Sequence, residues 1–247
     1  MKHIGGKSRR YALVAGVTGC MLYAATGSAT EAAPDAMTVL KEMARVYSNC
    51  KTYQDTGACV TKYVGDNPVE KKLEFRTAFR RPTDFRFEYS QTAGTMPAMG
   101  NRKIVQRDPS GTRSWWSLSK KKQDESSLGM ALAAATGVSD KTAHTVPRLL
   151  LPTEIRGRTF VDDAAWTLLT DAEESGHACH RVTHTLRDGA SETLWIDKTS
   201  SLLIRIDETL DLQGRPGPSK MEQTTLYKPQ MDQDIPQADL SFGAPAD

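Results

Sequence analysis

The chain has 247 residues, 38% of them hydrophobic, and its 32 basic and 30 acidic side chains leave a net charge of +2. This length holds one large domain or two small ones with a substantial core. The composition excludes a disordered polyelectrolyte, and the charge excludes a protein held to nucleic acid by a global basic field. The small excess is also uneven. Residues 1–29 hold Lys2, Lys7, Arg9 and Arg10 and no acid, so the remainder carries 2 − 4 = −2.

The first segment, "MKHIGGKSRR", is basic, and "YALVAGVTGCMLYAATGSA" after it is uncharged and mostly apolar. Together they have the layout of a secretory signal. Gly, Thr and Ser interrupt the apolar part too often for a membrane span, which needs about 20 apolar residues. Two exits follow. Gly27 and Ala29 place small residues for cleavage after Ala29, giving a signal at 1–29. "VTGC" alternatively reads as a lipobox, giving a signal at 1–19 with Cys20 lipidated. Both put a domain at 34–247 in the periplasm, the second anchored to the membrane.

Pro34-Asp35 starts a helix with Asp35 as N-cap, and Met37, Leu40, Met43 or Ala44, and Tyr47 recur at helical spacing. Short strands follow at 52–63, 71–80, 84–89, 103–107 and 113–118, the last two flanking the turn Asp108-Pro109-Ser110-Gly111. Lys120-Lys121-Lys122 reads as a polar loop. Residues 127–136 are Ala-rich and predict a short helix stopped by Gly137. The apolar stretch 146–152 is bracketed by Pro147 and Pro152, which fits a loop or short helix. Strands resume at 177–186, 192–197, 202–210 and 221–227. The fold class is α+β with one large curved sheet, carrying a helical insertion around 119–152.

"FRTAFRRPTDFRFEY" (75–89) interleaves aromatics with arginines, as single-strand nucleic-acid binders do. Parity decides otherwise. A period of two puts Phe75 and Phe79 on one face and Arg76 and Arg80 on the other, and likewise Phe85, Phe87 and Tyr89 opposite Arg86. Rings and cations do not share a surface, so no nucleic-acid partner is expected.

"HACHRVTH" (177–184) holds imidazoles and a thiol, which are zinc ligands. On a strand, His177 and Cys179 point one way and His180 and His184 the other, so no ligand set converges. No Gly-x-Ser-x-Gly elbow and no Gly-rich phosphate loop is present, and Asp162-Asp163 and Glu173-Glu174 are adjacent pairs whose side chains diverge near turns. No enzyme activity, cofactor or metal is expected. Cys50, Cys59 and Cys179 remain after the signal. An oxidising compartment permits Cys50–Cys59 or Cys59–Cys179, and three buried thiols fit equally well.

The order of signal, amphipathic helix, "YSNCKTYQDTG", "RPTDFRFEY" (81–89), "SWW", "ALAAATGVS", "VPRLLLP", "ACHRV" and "LWIDKTSSLLIRI" (194–206) resembles the predicted periplasmic proteins of the LolA/LolB-like superfamily, the outer-membrane lipoprotein carriers and their relatives. The resemblance implies an unclosed, curved antiparallel sheet, a half-barrel, with helices on its concave face and an apolar cavity between them for acyl chains. Phe75, Phe85, Phe87, Leu194 and Ile196 would line the sheet side. Met37, Leu40 and Met43, with the 146–152 segment, would form the lid. The carriers use a cavity arginine to control cargo release, and Arg76 is the nearest candidate by setting. The implied function is non-enzymatic, monomeric binding of a lipid or lipoprotein acyl chain. The alternative is an envelope sensor or interaction module of the same fold, acting through a protein partner.

Overall fold

The computed structural model describes Met1 and residues 34–94, 101–157, 159–162, 165–186, 189–212 and 217–243. The chain divides into Met1–Ala33 and Pro34–Asp247. The expected signal, the cleavage site after Ala29 and Cys20 lie outside the described residues.

The second unit opens with α1 (Ala36–Asn49), whose first turn is capped by Asp35 Oδ1 accepting the Thr38 N–H at 2.7 Å. Asp35 thereby satisfies a donor that the helix itself leaves orphaned. The strands are β1 (Thr52–Val64), β2 (Val69–Arg80), β3 (Asp84–Ala93), β4 (Arg102–Asp108), β5 (Gly111–Trp116) and β6 (Lys121–Glu125), followed by α2 (Leu128–Thr136) and α3 (Thr142–Leu150). After a 3-10 turn at Phe160–Asp162 come β7 (Thr167–Glu174), β8 (His177–Thr185), β9 (Ser191–Asp197), β10 (Leu203–Asp211), β11 (Lys220–Tyr227), β12 (Gln230–Met231) and the short α4 (Gln237–Leu240).

All pairings are antiparallel, in the order β6-β5-β4-β3-β2-β1-β11-β10-β9-β8-β7, with β12 beside the start of β1. β6 and β7 do not pair with each other, so the sheet stays open: an α+β half-barrel. β1 joins its two halves, running against β2 from Thr52↔Arg80 to Tyr63↔Val69 and against β11 from Gly57↔Tyr227 to Val64↔Lys220. Strand parity gives the sheet two unlike faces. Tyr53, Cys59, Leu73, Phe75, Phe79, Phe85, Phe87 and Tyr89 point to the face under α1, α2 and α3 and form one core with them. The interleaved Arg76, Arg80, Arg86 and Glu88 point to the opposite face, where Leu240 of α4 and Ile235 before it pack on Ala78 and where Glu88 is bonded by Arg86 and Arg102.

Two elements differ from the expectations. Lys121 and Lys122 belong to edge strand β6 and not to a loop, and edge strand β7 stands where no strand is expected; Glu173-Glu174 end it just before a turn, their side chains diverging as expected. Both are exposed edges, where charged side chains block further pairing and no buried face imposes alternation. Their polarity therefore reads as loop.

Candidate functional site: the helix-covered face

Leu40 and Met43 from α1, Phe75 from β2, Phe85 and Phe87 from β3, and Leu194 and Ile196 from β9 belong to the same buried cluster, and Met37 packs against it half-buried. Phe75 lies flat on β1 because Gly57 faces it across the pair. A Cβ at Gly57 would stand 2.2 Å from the Phe75 ring and 2.4 Å from the Leu226 carbonyl oxygen. Polar groups are set into this apolar surface with partners. Asp55 accepts from the Tyr53 hydroxyl at 2.8 Å and the Thr77 N–H at 2.9 Å, and Tyr47 Oη accepts the Leu203 N–H at 3.1 Å.

Arg76 does not join the residues expected with it. Its neighbour Phe75 takes the covered face, so Arg76 takes the other; its side chain is 53% exposed and sits 3.0 Å from Asp239. Arg81, in the turn between β2 and β3, reaches from the sheet to the helix layer. Its Nε donates to the Cys50 carbonyl at 2.7 Å, and its Nη2 donates to the Ser48 and Leu150 carbonyls at 2.5 and 3.0 Å. One guanidinium thus ties the C-terminal ends of α1 and α3, where helix carbonyls lack partners of their own.

A polar row crosses the covered face. Register places Lys71, Thr61, Gln223, Glu208, Glu192 and His184 abreast on β2, β1, β11, β10, β9 and β8. The corner between α2 and α3 sits on this row: Lys141 Nζ lies 3.0 and 2.9 Å from the two Glu208 oxygens, and Asp140 Oδ1 lies 2.7 Å from Lys71 Nζ. At the far end His184 Nε2 is 3.2 Å from Glu192 Oε2, and the His184 ring stacks on Trp166 at 3.8 Å.

The other sequence candidates fall elsewhere. Cys50 and Cys59 are free buried thiols, not a disulfide. β1 runs unbroken from Thr52, so at about 3.3 Å per residue Cys59 is held far beyond the ~7 Å that a disulfide spans between Cα atoms. Cys179 is also buried and free, its thiol donating to the His177 carbonyl. Burial pushes Cys50 and Cys179 up to about 11 and Cys59 up to about 12, the behaviour of structural thiols. His177 and His180 each face a carboxylate, Asp197 at 3.1 Å and Asp171 at 3.0 Å. On the face opposite the helix layer a groove of about 550 Å³ opens over β11, β1, β2 and β3, lined by Thr56, Ala58, Glu74, Arg76, Leu226 and Lys228 among others.

The buried carboxyls give the fold a pH signature. Burial, and Glu208 beside it, push Glu192 up to about 7; burial pushes Asp55 up to about 6 against the bonds from Tyr53 and Thr77. Both exceed their ordinary values of 4.5 and 3.8. Each therefore contributes stability that is complete below the ordinary value and is lost as pH climbs through the folded one. His144, lowered by burial, contributes in the opposite sense, above its ordinary 6.5. We expect a higher unfolding free energy at pH 5 than at pH 8, with Glu192, raised by burial and by Glu208, supplying part of the difference. Urea titrations at both pH values measure it. Glu192→Gln removes that part, and a variant with an unchanged difference excludes Glu192 as its source.

Fold and site together define a half-barrel with a fastened helix layer over an apolar, aromatic interior. No protein family model matches the chain, and no curated protein matches it. Among solved structures it is similar to LprF from Mycobacterium bovis, at 10% identity over 85% of this chain and 97% of that one, with a TM-score of 0.48. It is also similar to a LolA superfamily protein from Nitrosomonas europaea, at 12% identity over 85% and 98%, TM-score 0.32. A third is MucB in the Pseudomonas aeruginosa MucA/MucB complex, at 14% identity over 84% of this chain and 61% of that one, TM-score 0.45. This chain thus spans less than two thirds of the MucB chain. At these identities the likeness concerns the course of the chain, and function is argued from the residues.

Proposed function

We propose that the protein is a non-enzymatic binding protein of the periplasm that shelters a lipid or lipoprotein acyl chain between its helix layer and its sheet. The observation that carries this reading is how the helix layer is attached. Its middle meets the sheet through apolar side chains, among them Leu40, Met43, Phe85 and Phe87, while directed bonds fasten its ends at Arg81, Asp140 and Lys141. Such a layer opens by releasing a few polar bonds, and it uncovers apolar surface on either side of the polar row. Each methylene buried there contributes on the order of 0.8 kcal/mol. Met37 and Met43, unbranched and polarisable, adapt to chains of different shape.

A photoactivatable fatty-acyl probe tests the site. The reading expects one probe per chain, crosslinked to peptides covering 36–49 and 84–93. Crosslinks confined to the groove around Leu226 and Lys228 on the opposite face would contradict it. That groove is where the partner-binding alternative finds a concave surface, and a protein partner seated there without acyl uptake would favour it.

A further inference from the structure

The corner between α2 and α3 has an unusual construction. Asp140 and Lys141 are consecutive non-glycine residues with positive φ, +49° and +67°. L-residues adopt this region at a cost, and it persists where surrounding bonds over-determine it. Those bonds are present. Asp140 accepts from Lys71 Nζ at 2.7 Å and from Thr61 Oγ1 at 3.1 Å, and its carbonyl accepts from Gln223 Nε2 at 3.4 Å. Lys141 meets both oxygens of Glu208, whose side chain is only 4% exposed. The two strained residues thus point their charges in opposite directions along the sheet, one to β2 on one side of β1 and β11, the other to β10 beyond them. Inside the corner, Ser139 Oγ accepts the Ala143 N–H at 3.1 Å and Thr142 donates to the Ser139 carbonyl at 2.7 Å, so the turn is held from both sides.

Resting on the acyl-binding reading above, we propose that this corner is a clasp that keeps the helix layer shut. It fastens the N-terminal end of α3 to the middle of the sheet, while Arg81 fastens the C-terminal end at Leu150. Releasing the clasp swings the start of α3 away from the row Lys71–Thr61–Gln223–Glu208 and exposes what lies beneath it. Cys59 lies beneath it. The residue is fully buried, its Sγ is 4.0 Å from Thr61 Oγ1, and both Asp140 and Glu208 act on it electrostatically. The thiol is a built-in reporter of the clasp, and Cys179, fully buried in β8, is a reporter of the remaining fold.

The test is the rate at which N-ethylmaleimide labels each cysteine of the ligand-free protein, read by peptide mapping. Lys141→Met is combined with Glu208→Gln so that no buried charge is left alone. We expect Cys59 to be labelled about tenfold faster and Cys179 to stay within about twofold of the native rate, as for a local opening. Equal acceleration of both thiols would mean general loosening and would overturn the clasp, as would an unchanged Cys59. Should the double variant not fold, Asp140→Asn, which tolerates positive φ, is read in the same way. The readout needs no acyl ligand. Faster Cys59 labelling without uptake of an acyl probe would leave the clasp standing and remove the cargo; uptake at the native rate with the clasp cut would do the reverse.

Discussion

Arg81→Met is expected to free the ends of α1 and α3 while leaving the sheet intact. The guanidinium donates to three main-chain carbonyls, of Ser48, Cys50 and Leu150. A hydrogen bond from a charged donor contributes about 1.5–3 kcal/mol. The freed carbonyls regain water, so we expect a net loss of about 3 kcal/mol, confined to the opening of the helix layer. Amide hydrogen exchange measures it by region. Protection in α1 and α3 should fall by roughly a hundredfold, while the central strands β1, β2 and β3 keep theirs. Arg81→Lys keeps the charge but cannot serve three carbonyls with one planar fork, and it should fall between. Uniform loss across helices and sheet would show that Arg81 supports the whole fold and does not gate its cover.

Phe87→Ala has the second large effect. Phe87 is fully buried on the covered face, opposite Thr77 and Val105 and 6.4 Å from the Tyr89 ring. Truncating such a ring costs about 3–5 kcal/mol, part of it for the cavity left behind. A dry apolar cavity accepts apolar ligands. In the acyl-binding account the cavity lies on the ligand path, so saturating fatty acid should raise the thermal midpoint of Phe87→Ala more than that of the native protein. A variant that loses the stability but gains nothing from fatty acid would show Phe87 to be core alone.

How far the sequence discloses this molecule follows from what periodicity can and cannot encode. Asp35 as N-cap, Ser127–Gly137 around α2 and the two faces of 75–89 are local facts, carried by spacing within one segment. They are legible, and they place the apolar site residues correctly on one side of the sheet. The same parity puts Arg76 on the opposite face, away from the cavity position that the family resemblance implies for it. Arg81 is the fastening residue because its partners are backbone carbonyls of two helices distant in sequence, which no side-chain pattern announces. The polar row is hidden for a related reason. Lys71, Thr61, Gln223, Glu208, Glu192 and His184 lie on six strands, and only register brings them abreast. Periodicity fixes the face of a residue and leaves its register open. β6 and β7 escape because an exposed edge strand has little buried face to impose alternation.

The central claim is that the covered face takes up an acyl chain. Native mass spectrometry of the protein purified under mild conditions from the cell envelope tests it most directly. The account predicts an adduct with the mass of a phospholipid or acylated peptide, bound one per chain and released when Arg81 is replaced. A protein that leaves the envelope without any such adduct, and takes up no fatty acyl probe even when Arg81→Met has opened the helix layer, would contradict it.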